Sequence, residues 1–327
     1  MNKNKRIALM HCYFNYRKTV VFMLIAGMLL ACISANAQYT QYPNVEKNIL
    51  QPLRKIADSV LLTADSIASP QYAKTYLQKR EIKIQPIKFQ IAGNIGKSFS
   101  STVIYNNDKP AVGIFAMCVK PFNPLHNDVK ISPASTFVIS PDGVCVTNFH
   151  VVYAYANSLK QGEKGLCLVR LGNDSVYPLK TILAVSSKDD IALIQLDTKG
   201  QQLPFLKLSE ADASIGDDIY VLGNPTGLMY NFTKGIVSDK YNETFALPGE
   251  EGFAERNVMA ITAEFAVGSS GSPVLDSSGS VTGIVSSTIV IEQSNTGHPQ
   301  TQMVVRNIIP VSSIKKLIHS VTTSNNK

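Results

Sequence analysis

The chain has 327 residues, of which 45% are hydrophobic and 17% charged, with 20 Gly and 16 Pro. This composition excludes collagen-like, coiled-coil and wholly disordered proteins, because it has neither their periodic repeats nor their excess of charge. Five of the 31 Lys and Arg lie in residues 1–37, which contain no Asp or Glu, so the rest of the chain has 26 basic against 24 acidic residues. A body this close to neutral has no basic surface suited to a phosphate backbone, and we expect no nucleic acid partner.

The first residues have the pattern of an export signal. A basic stretch over residues 1–18 precedes twelve uncharged, mostly aliphatic residues from Val20 to Ala31, and Ala35-Asn36-Ala37 follows. Basic start, short apolar run and small residues before a cleavage site are typical of a signal peptide. Twelve residues are too few to cross ~30 Å of hydrocarbon as a helix. We predict a signal peptide over residues 1–37 and a soluble periplasmic or secreted protein without a membrane span.

A second processing route remains open at Cys32. Leu29-Leu30-Ala31-Cys32 resembles a bacterial lipobox, in which the cysteine becomes the lipid-anchored first residue of a membrane-anchored lipoprotein. Leu30 is not the best residue for that motif, whereas Ala-Asn-Ala is a cleaner cleavage site. The sequence therefore favours soluble export over a lipid anchor.

Residues 38–95 form a mostly helical N-terminal segment in our prediction. Apolar residues recur at three- and four-residue steps from Val45 to Ile67, which is one face of a helix, and Pro52 interrupts the pattern. A further short helix is expected over residues 70–80 and a strand over Glu81–Ile91. The apolar face indicates only that this segment packs against another surface.

From about Lys109 the chain becomes rich in short β-branched runs. Turn signals such as Asp142-Gly143 and Ser278-Gly279 separate about a dozen of these runs, which predicts an all-β barrel or sandwich. A final helix is expected from Val311 to His319, followed by a frayed tail over residues 322–327. There is no CxxC pair and no HExxH, so we expect no metal.

Two short strings contribute a histidine and an aspartate. Thr147-Asn148-Phe149-His150 is read as a strand that ends in a turn and presents His150, and Asp190 opens the apolar run Asp190-Ile191-Ala192-Leu193. If the two side chains meet, the carboxylate accepts the imidazole Nδ1 proton, fixes the tautomer and stabilises the imidazolium. Either residue alone is weak evidence, because single histidines and turn aspartates are commonly structural.

The third string is Gly268-Ser269-Ser270-Gly271-Ser272-Pro273. Its glycines permit a tight turn in which the N–H groups of Gly268 and Ser270 point to one spot, where an oxyanion would develop. Ser270 would attack a carbonyl once His150 takes its proton. The order His, Asp, Ser differs from that of α/β-hydrolases and of subtilisins, and only the chymotrypsin-type order fits.

These strings resemble the three catalytic blocks of HtrA-type (Deg) serine proteases of the chymotrypsin clan. Gly223-Asn224-Pro225 and Gly235-Ile236-Val237-Ser238 are similar to the strand pair that this family has between its Asp and Ser, and the resemblance covers roughly residues 109–320. It implies two antiparallel Greek-key β-barrels over residues 96–321, with a His150–Asp190–Ser270 triad in the cleft between them. It also implies protein or peptide substrates and no cofactor.

The chain departs from the family pattern at several places. Ala134-Ser135-Thr136 stands where Gly-Ser-Gly is usual, and the loop before Ser270 looks one residue shorter. Only a short tail follows the final helix, so we expect no PDZ domain. Ser269 replaces the aspartate that precedes the nucleophile in trypsin, and activation through a new N-terminal amine is therefore not expected.

Specificity is the least determined part of the prediction. Glu264 lies six residues before Ser270, where trypsin-like enzymes have the base of the P1 pocket, so cleavage after Lys or Arg is one hypothesis. The alternatives are that Glu264 lies at the surface or pairs with a basic neighbour, or that Phe265 fills the pocket. The strand with Ser286, Ser287 and Thr288 is expected to pair with the substrate backbone.

The sequence thus predicts an exported serine endopeptidase that works through an acyl-enzyme. The alternative is a catalytically silent protease-fold protein of the envelope with a binding or chaperone-like role. Oligomeric state stays open.

Overall fold

The computed structural model describes residues 43–63, 69–79, 87–92, 98–122, 128–247, 252–293 and 300–323. The predicted signal peptide, the lipobox at Cys32 and most of the predicted strand Glu81–Ile91 lie outside these residues. Of that strand, residues 87–91 are described, and among them Ile91 alone takes part in β pairing, through a parallel bridge to Leu208.

Short helices precede the β-rich part of the chain. A π-helical turn at Glu46–Leu50 leads into helix α1 at Gln51–Thr63, and α2 covers Pro70–Lys79. Pro52 is the second residue of α1 and directly follows the π-helical turn, so the expected interruption coincides with the change from π-helical to α-helical hydrogen bonding. Helix α3, Ser101–Asp108, was not predicted, and the Ser100 hydroxyl caps it by accepting from the Val103 N–H.

Six antiparallel strands close the first barrel in the order β1-β2-β3-β6-β5-β4. The strands are β1 Val112–Lys120, β2 Lys130–Val138, β3 Val144–Thr147, β4 Lys164–Leu171, β5 Val176–Ser186 and β6 Ile191–Leu196. Helix α4, Phe149–Ala156, follows β3 after a single residue. His150 therefore lies in a helix rather than in the turn that the sequence indicated, because Phe149, Val151, Val152 and Tyr155 bury an apolar helical face.

Six further antiparallel strands close the second barrel in the order β10-β11-β12-β9-β8-β7. They are β7 Asp218–Gly223, β8 Asn231–Ala246, β9 Phe253–Ile261, β10 Pro273–Asp276, β11 Val281–Gln293 and β12 Gln300–Pro310. Helix α5, Val311–Thr323, follows β12. The prediction of an all-β fold with two antiparallel barrels and a final helix is confirmed.

Two hairpins of the second barrel are longer than the sequence indicated. Strands β8 and β9 stay paired out to Ala246 and Phe253, and β11 and β12 stay paired out to Gln293 and Gln300. Most side chains of these outer ribbons are exposed or only partly buried, so they lack the apolar runs from which strands were predicted. Pairing with the neighbouring strand, not burial, extends them.

The three cysteines of the described residues lie in the first barrel. Cys118, Cys145 and Cys167 are buried and form no disulfide. Burial raises the pKa of the Cys118 thiol to about 12 and raises those of the other two as well. They thus act as small apolar core residues. Within the described residues, no helix combines the length and apolar character needed to cross a bilayer.

Candidate active site

The structure brings His150 and Asp190 into direct contact. Imidazole Nδ1 lies 3.0 Å from Asp190 Oδ1 and 2.9 Å from Oδ2, and the backbone N–H of His150 also donates to Oδ1, at 3.0 Å. A carboxylate at Nδ1 keeps the proton on that nitrogen and leaves Nε2 as the basic atom. The His150 side chain is 38% exposed, so its ring is accessible from solvent.

Asp190 is an ionised carboxylate in a buried position. Its burial opposes ionisation, but hydrogen bonds and charge from His150, together with the hydroxyl of Ser286, hold the pKa of Asp190 below its ordinary value. Ser286 Oγ donates to Oδ2 at 2.7 Å. The backbone of Asp190 has φ +53°, a left-handed conformation, and Asn148 Nδ2 donates to the Asp190 carbonyl at 2.9 Å. The carboxylate is thus fixed from both its side chain and its backbone.

Ser270 lies on the β9–β10 loop, which is tied to the first barrel through strand β2. The Ser135 N–H donates to the Ser270 carbonyl at 2.8 Å, and Ser135 Oγ donates to the Gly268 carbonyl at 3.0 Å. Thr147, the last residue of β3, donates its hydroxyl to the Ser135 carbonyl at 2.8 Å. The loop of Ser270 is therefore attached beside the strand end that leads to His150.

The same loop leaves two backbone donors available. In the described part of the chain, neither the Gly268 N–H nor the Ser270 N–H donates to a protein acceptor, whereas the Ser269 N–H donates to the Ala266 carbonyl at 2.9 Å. Gly268 has φ +95°, and a Cβ there would lie 2.6 Å from the Asn224 carbonyl oxygen, so only glycine fits. Two unpaired N–H groups, one of them the serine's own, are donors of the kind that an oxyanion requires.

No hydrogen bond joins Ser270 Oγ to His150 Nε2 among the described residues. Catalytic hydrogen bonds are often long or misaligned before substrate binds, so their absence does not exclude the pair as base and nucleophile.

The residues predicted for substrate binding have separate surroundings. Ser286 contacts Asp190 rather than open solvent, while Ser287 and Thr288 pair with Asn307 and Arg306 of β12. On the other edge of β11, β10 pairs only up to Ile284, and Val285 exchanges backbone contacts with Gly271 and Ser272. The β11 edge beyond Val285 thus begins at the loop of Ser270 without a strand partner in the described residues.

Glu264 forms an ion pair with Arg306, and its side chain is 68% exposed. Phe265 is partly buried and packs against the core of the second barrel. Of the arrangements considered for Glu264, the structure combines two: its side chain lies at the surface and pairs with a basic neighbour.

Sequence reasoning missed several residues that contact the triad or its loop. Asn148 and Ser135 donate to backbone carbonyls, and Ser286 had been predicted to contact substrate rather than Asp190. No local sequence pattern marks these contacts, because the two partners of each contact lie far apart in the sequence.

Comparison with known proteins gives a consistent result. Residues 134–284 match the family model of the trypsin-like peptidase domain. The chain is 33% identical over 149 residues to a probable periplasmic serine endoprotease DegP-like of Chlamydia pneumoniae, covering 45% of this chain and 27% of that protein. It is 33% identical over 160 residues to the mitochondrial serine protease HTRA2 of Bos taurus, and 34% over 158 residues to the serine protease HTRA3 of Homo sapiens.

The matches to HTRA2 and HTRA3 each cover 48% of this chain. They cover 32% of the length of HTRA2 and 33% of the length of HTRA3. The chain therefore spans about a third or less of the length of these curated relatives. Residues 134–284, which match the family model, include all three triad candidates. Over residues 134–284 this chain is thus similar to the trypsin-like peptidase domain, and it resembles the HtrA/DegP serine proteases.

Proposed function

We propose that this protein is an exported serine endopeptidase with His150, Asp190 and Ser270 as its catalytic triad. The observation that carries the proposal is the hydrogen-bonded His150–Asp190 pair beside the strand end to which the loop of Ser270 is tied. Export is supported by the signal-peptide pattern of residues 1–37 and by relatives described as periplasmic.

In this proposal each group has one role. His150 Nε2 takes the proton of Ser270 as Oγ attacks the scissile carbonyl, and Asp190 stabilises the resulting imidazolium through Nδ1. The Gly268 and Ser270 N–H groups stabilise the oxyanion, which is worth roughly 3–4 kcal/mol for each donor when tested by removal. His150 then protonates the leaving amine, and water releases the acyl group from Ser270.

A peptide substrate would add as a strand to the open edge of β11. The backbone groups of Ser286 to Thr288 lie on that edge, and the loop of Ser270 follows directly beside Val285. Backbone pairing of this kind gives affinity without demanding a particular side-chain sequence. Cleavage after Lys or Arg remains a prediction, and Arg306 competes with a substrate cation for the Glu264 carboxylate.

The test is covalent labelling of a chain that starts at Gln38 with a fluorophosphonate probe, alongside hydrolysis of a denatured protein. We expect wild-type protein to label and to cleave, and Ser270→Ala and His150→Ala to lose both activities. Ser214→Ala, which removes an exposed hydroxyl ahead of β7, is the matched control and should behave as wild type.

A folded wild-type protein that neither labels nor cleaves would overturn this proposal. Suppression of aggregation that survives Ser270→Ala would then favour the chaperone-like alternative.

A further inference from the structure

A buried arginine reaches the triad from the second barrel. Arg256 lies on β9, its side chain is 5% exposed, and its Nη1 is 3.7 Å from Asp190 Oδ2. Charged side chains are rarely buried unless their charge is compensated, so the position of this group calls for a reason.

Two neighbours on β8 fix the arginine in place. Nε and Nη2 of Arg256 donate to Glu243 Oε2 at 2.9 and 2.8 Å, and the two residues face each other in the β8–β9 ladder. The guanidinium carbon lies 4.2 Å from the centroid of the Phe245 ring. An ion pair and a stacked ring leave the guanidinium little freedom to turn away from Asp190.

Glu243 is itself held by the adjacent strand. Its Oε1 accepts from Asn307 Nδ2 at 3.3 Å, and Asn307 in turn contacts the Tyr241 hydroxyl, at 2.7 Å from Nδ2 and 3.0 Å from Oδ1. The polar chain therefore runs from Asp190 through Arg256 and Glu243 to β12. Each member lies on a different strand or loop, so the chain links the β8–β9 hairpin to the triad.

We propose that Arg256 is a positioning residue for Asp190 and that Glu243 is the counter-anion that sets its orientation and charge. Arg256 adds a permanent positive charge beside this carboxylate, whose other side-chain donors are the Ser286 hydroxyl and the His150 imidazole. This inference rests on the proposed protease function, because Asp190 acts on substrate only through His150.

Changes at Arg256 and at Glu243 should have opposite effects on the pH dependence of activity. The charged groups around Asp190 are His150 from α4, Arg256 from β9 and, behind Arg256, Glu243 from β8. Tyr241 lies further along, and the carboxylate of Asp189 turns to the Ser186 hydroxyl. Removing the Arg256 cation favours the charged form of His150, whereas neutralising Glu243 leaves the cation unopposed and disfavours it.

The experiment measures kcat, KM and the rate of fluorophosphonate labelling against pH for Arg256→Met, Arg256→Lys and Glu243→Gln. For Arg256→Met we expect kcat to fall roughly 10- to 100-fold with KM within about twofold, because a misplaced catalytic group costs turnover rather than binding. In the profile of kcat against pH, the acidic limb of Arg256→Met should move to higher pH than in wild type. The acidic limb of Glu243→Gln should move to lower pH. Arg256→Lys keeps the charge and should recover the wild-type limb but only part of kcat.

Lys234→Met is the matched control, since Lys234 pairs with Asp218 on the exposed side of β7 and β8 and its removal should leave the profile unchanged. If Arg256→Met does not fold, the double change Arg256→Met with Glu243→Gln removes both charges together. Because it lacks the unopposed cation of Glu243→Gln, its acidic limb should lie at higher pH than that of Glu243→Gln. Acidic limbs of Arg256→Met and Glu243→Gln that both coincide with that of wild type, in folded proteins that label, would overturn this inference alone. A wild type that does not label would overturn the proposed function and this inference with it.

Discussion

Asp190 shows how single residues make the candidate site work. A buried carboxylate stays ionised only when donors and charge replace the water it has lost, and here His150, Ser286 and Arg256 surround its two oxygens. The identities and order of His150, Asp190 and Ser270 were predictable because their local strings have a chemical meaning. Ser286 and Arg256 were not predicted to contact Asp190, since strand register, not a local motif, brings them to it.

A substitution at Gly271 tests how closely the loop of Ser270 packs against strand β2. Its φ is +88°, and a Cβ there would lie 1.9 Å from the Ser135 carbonyl oxygen. We expect Gly271→Ala to displace the loop, so that fluorophosphonate labelling of Ser270 falls at least tenfold and unfolding in urea occurs at a lower concentration.

Gly216 provides the control for backbone strain alone. It has φ +92°, but a Cβ there would meet nothing within 4 Å. Gly216→Ala should therefore cost only about 1–2 kcal/mol of stability from the left-handed backbone and leave labelling intact. Equal losses in the two variants would show that the fit against Ser135 has no special importance.

At the scale of elements, strand β2 organises the loop of the second barrel. Ser135 donates to Gly268 and Ser270, and its hydroxyl accepts from the Asn224 N–H at 3.0 Å and from Asn224 Nδ2 at 3.2 Å. In the sequence, Ala134-Ser135-Thr136 stood out only as a departure from Gly-Ser-Gly. The serine of that motif is present, and its role depends on two loops that sequence spacing does not connect.

Ser135→Ala should loosen the nucleophile loop without unfolding the protein. The change leaves the Gly268 carbonyl and the Asn224 donors without their hydroxyl partner, and each buried unpaired group costs roughly 1–3 kcal/mol. We expect kcat to fall several-fold and the free energy of unfolding to drop by about 2 kcal/mol.

Ser132→Ala is the comparison within the same strand, because Ser132 is exposed on β2. It should change neither kcat nor stability measurably. A Ser135→Ala protein with wild-type turnover would show that the hydroxyl does not position the loop.

Strand boundaries show which parts of the elements follow from sequence. The short apolar runs located the barrel strands because burial in a closed barrel requires them. The outer halves of β8, β11 and β12 were missed because a ribbon outside the barrel has no buried face to reveal it. Those same outer residues include Glu243, so the electrostatics of the site were missed with them.

For the whole molecule, the contact between helix α3 and the second barrel introduces a pH dependence. The buried Asp108 Oδ2 has no hydrogen-bond partner in the described residues and lies near the β10–β11 turn, where a Cβ on Gly279 would be 2.5 Å from it. Asp276 in that turn accepts from the Ser209 and Ser278 hydroxyls and from two backbone N–H groups. The Asp276 carboxylate is thus held by four donors beside Asp108.

Burial, with the charge of Asp276 adding to it, raises the pKa of Asp108 from 3.8 to about 7. The folded state therefore binds more protons than the unfolded state between about pH 4 and pH 7, and stability falls as the pH rises through that window. We expect Asp108→Asn to raise the free energy of unfolding at pH 8 by about 2 kcal/mol, roughly half of the full conversion because solvent still reaches the residue.

Urea unfolding of both proteins at pH 5 and pH 8 measures this difference, with the exposed Asp128→Asn as control. The gain from Asp108→Asn should be larger at pH 8 than at pH 5, and Asp128→Asn should have no effect at either. A gain of the same size at both pH values would contradict a titrating Asp108.

The buried thiols of the first barrel have a practical consequence. Cys118, Cys145 and Cys167 lie on β1, β3 and β4, and the described strands of the second barrel have none. In a chain that starts at Gln38, which lacks Cys12 and Cys32, an alkylating dye therefore reacts only when the first barrel opens. The rate of dye incorporation therefore measures how often the first barrel opens, independently of the second barrel and its loop with Ser270.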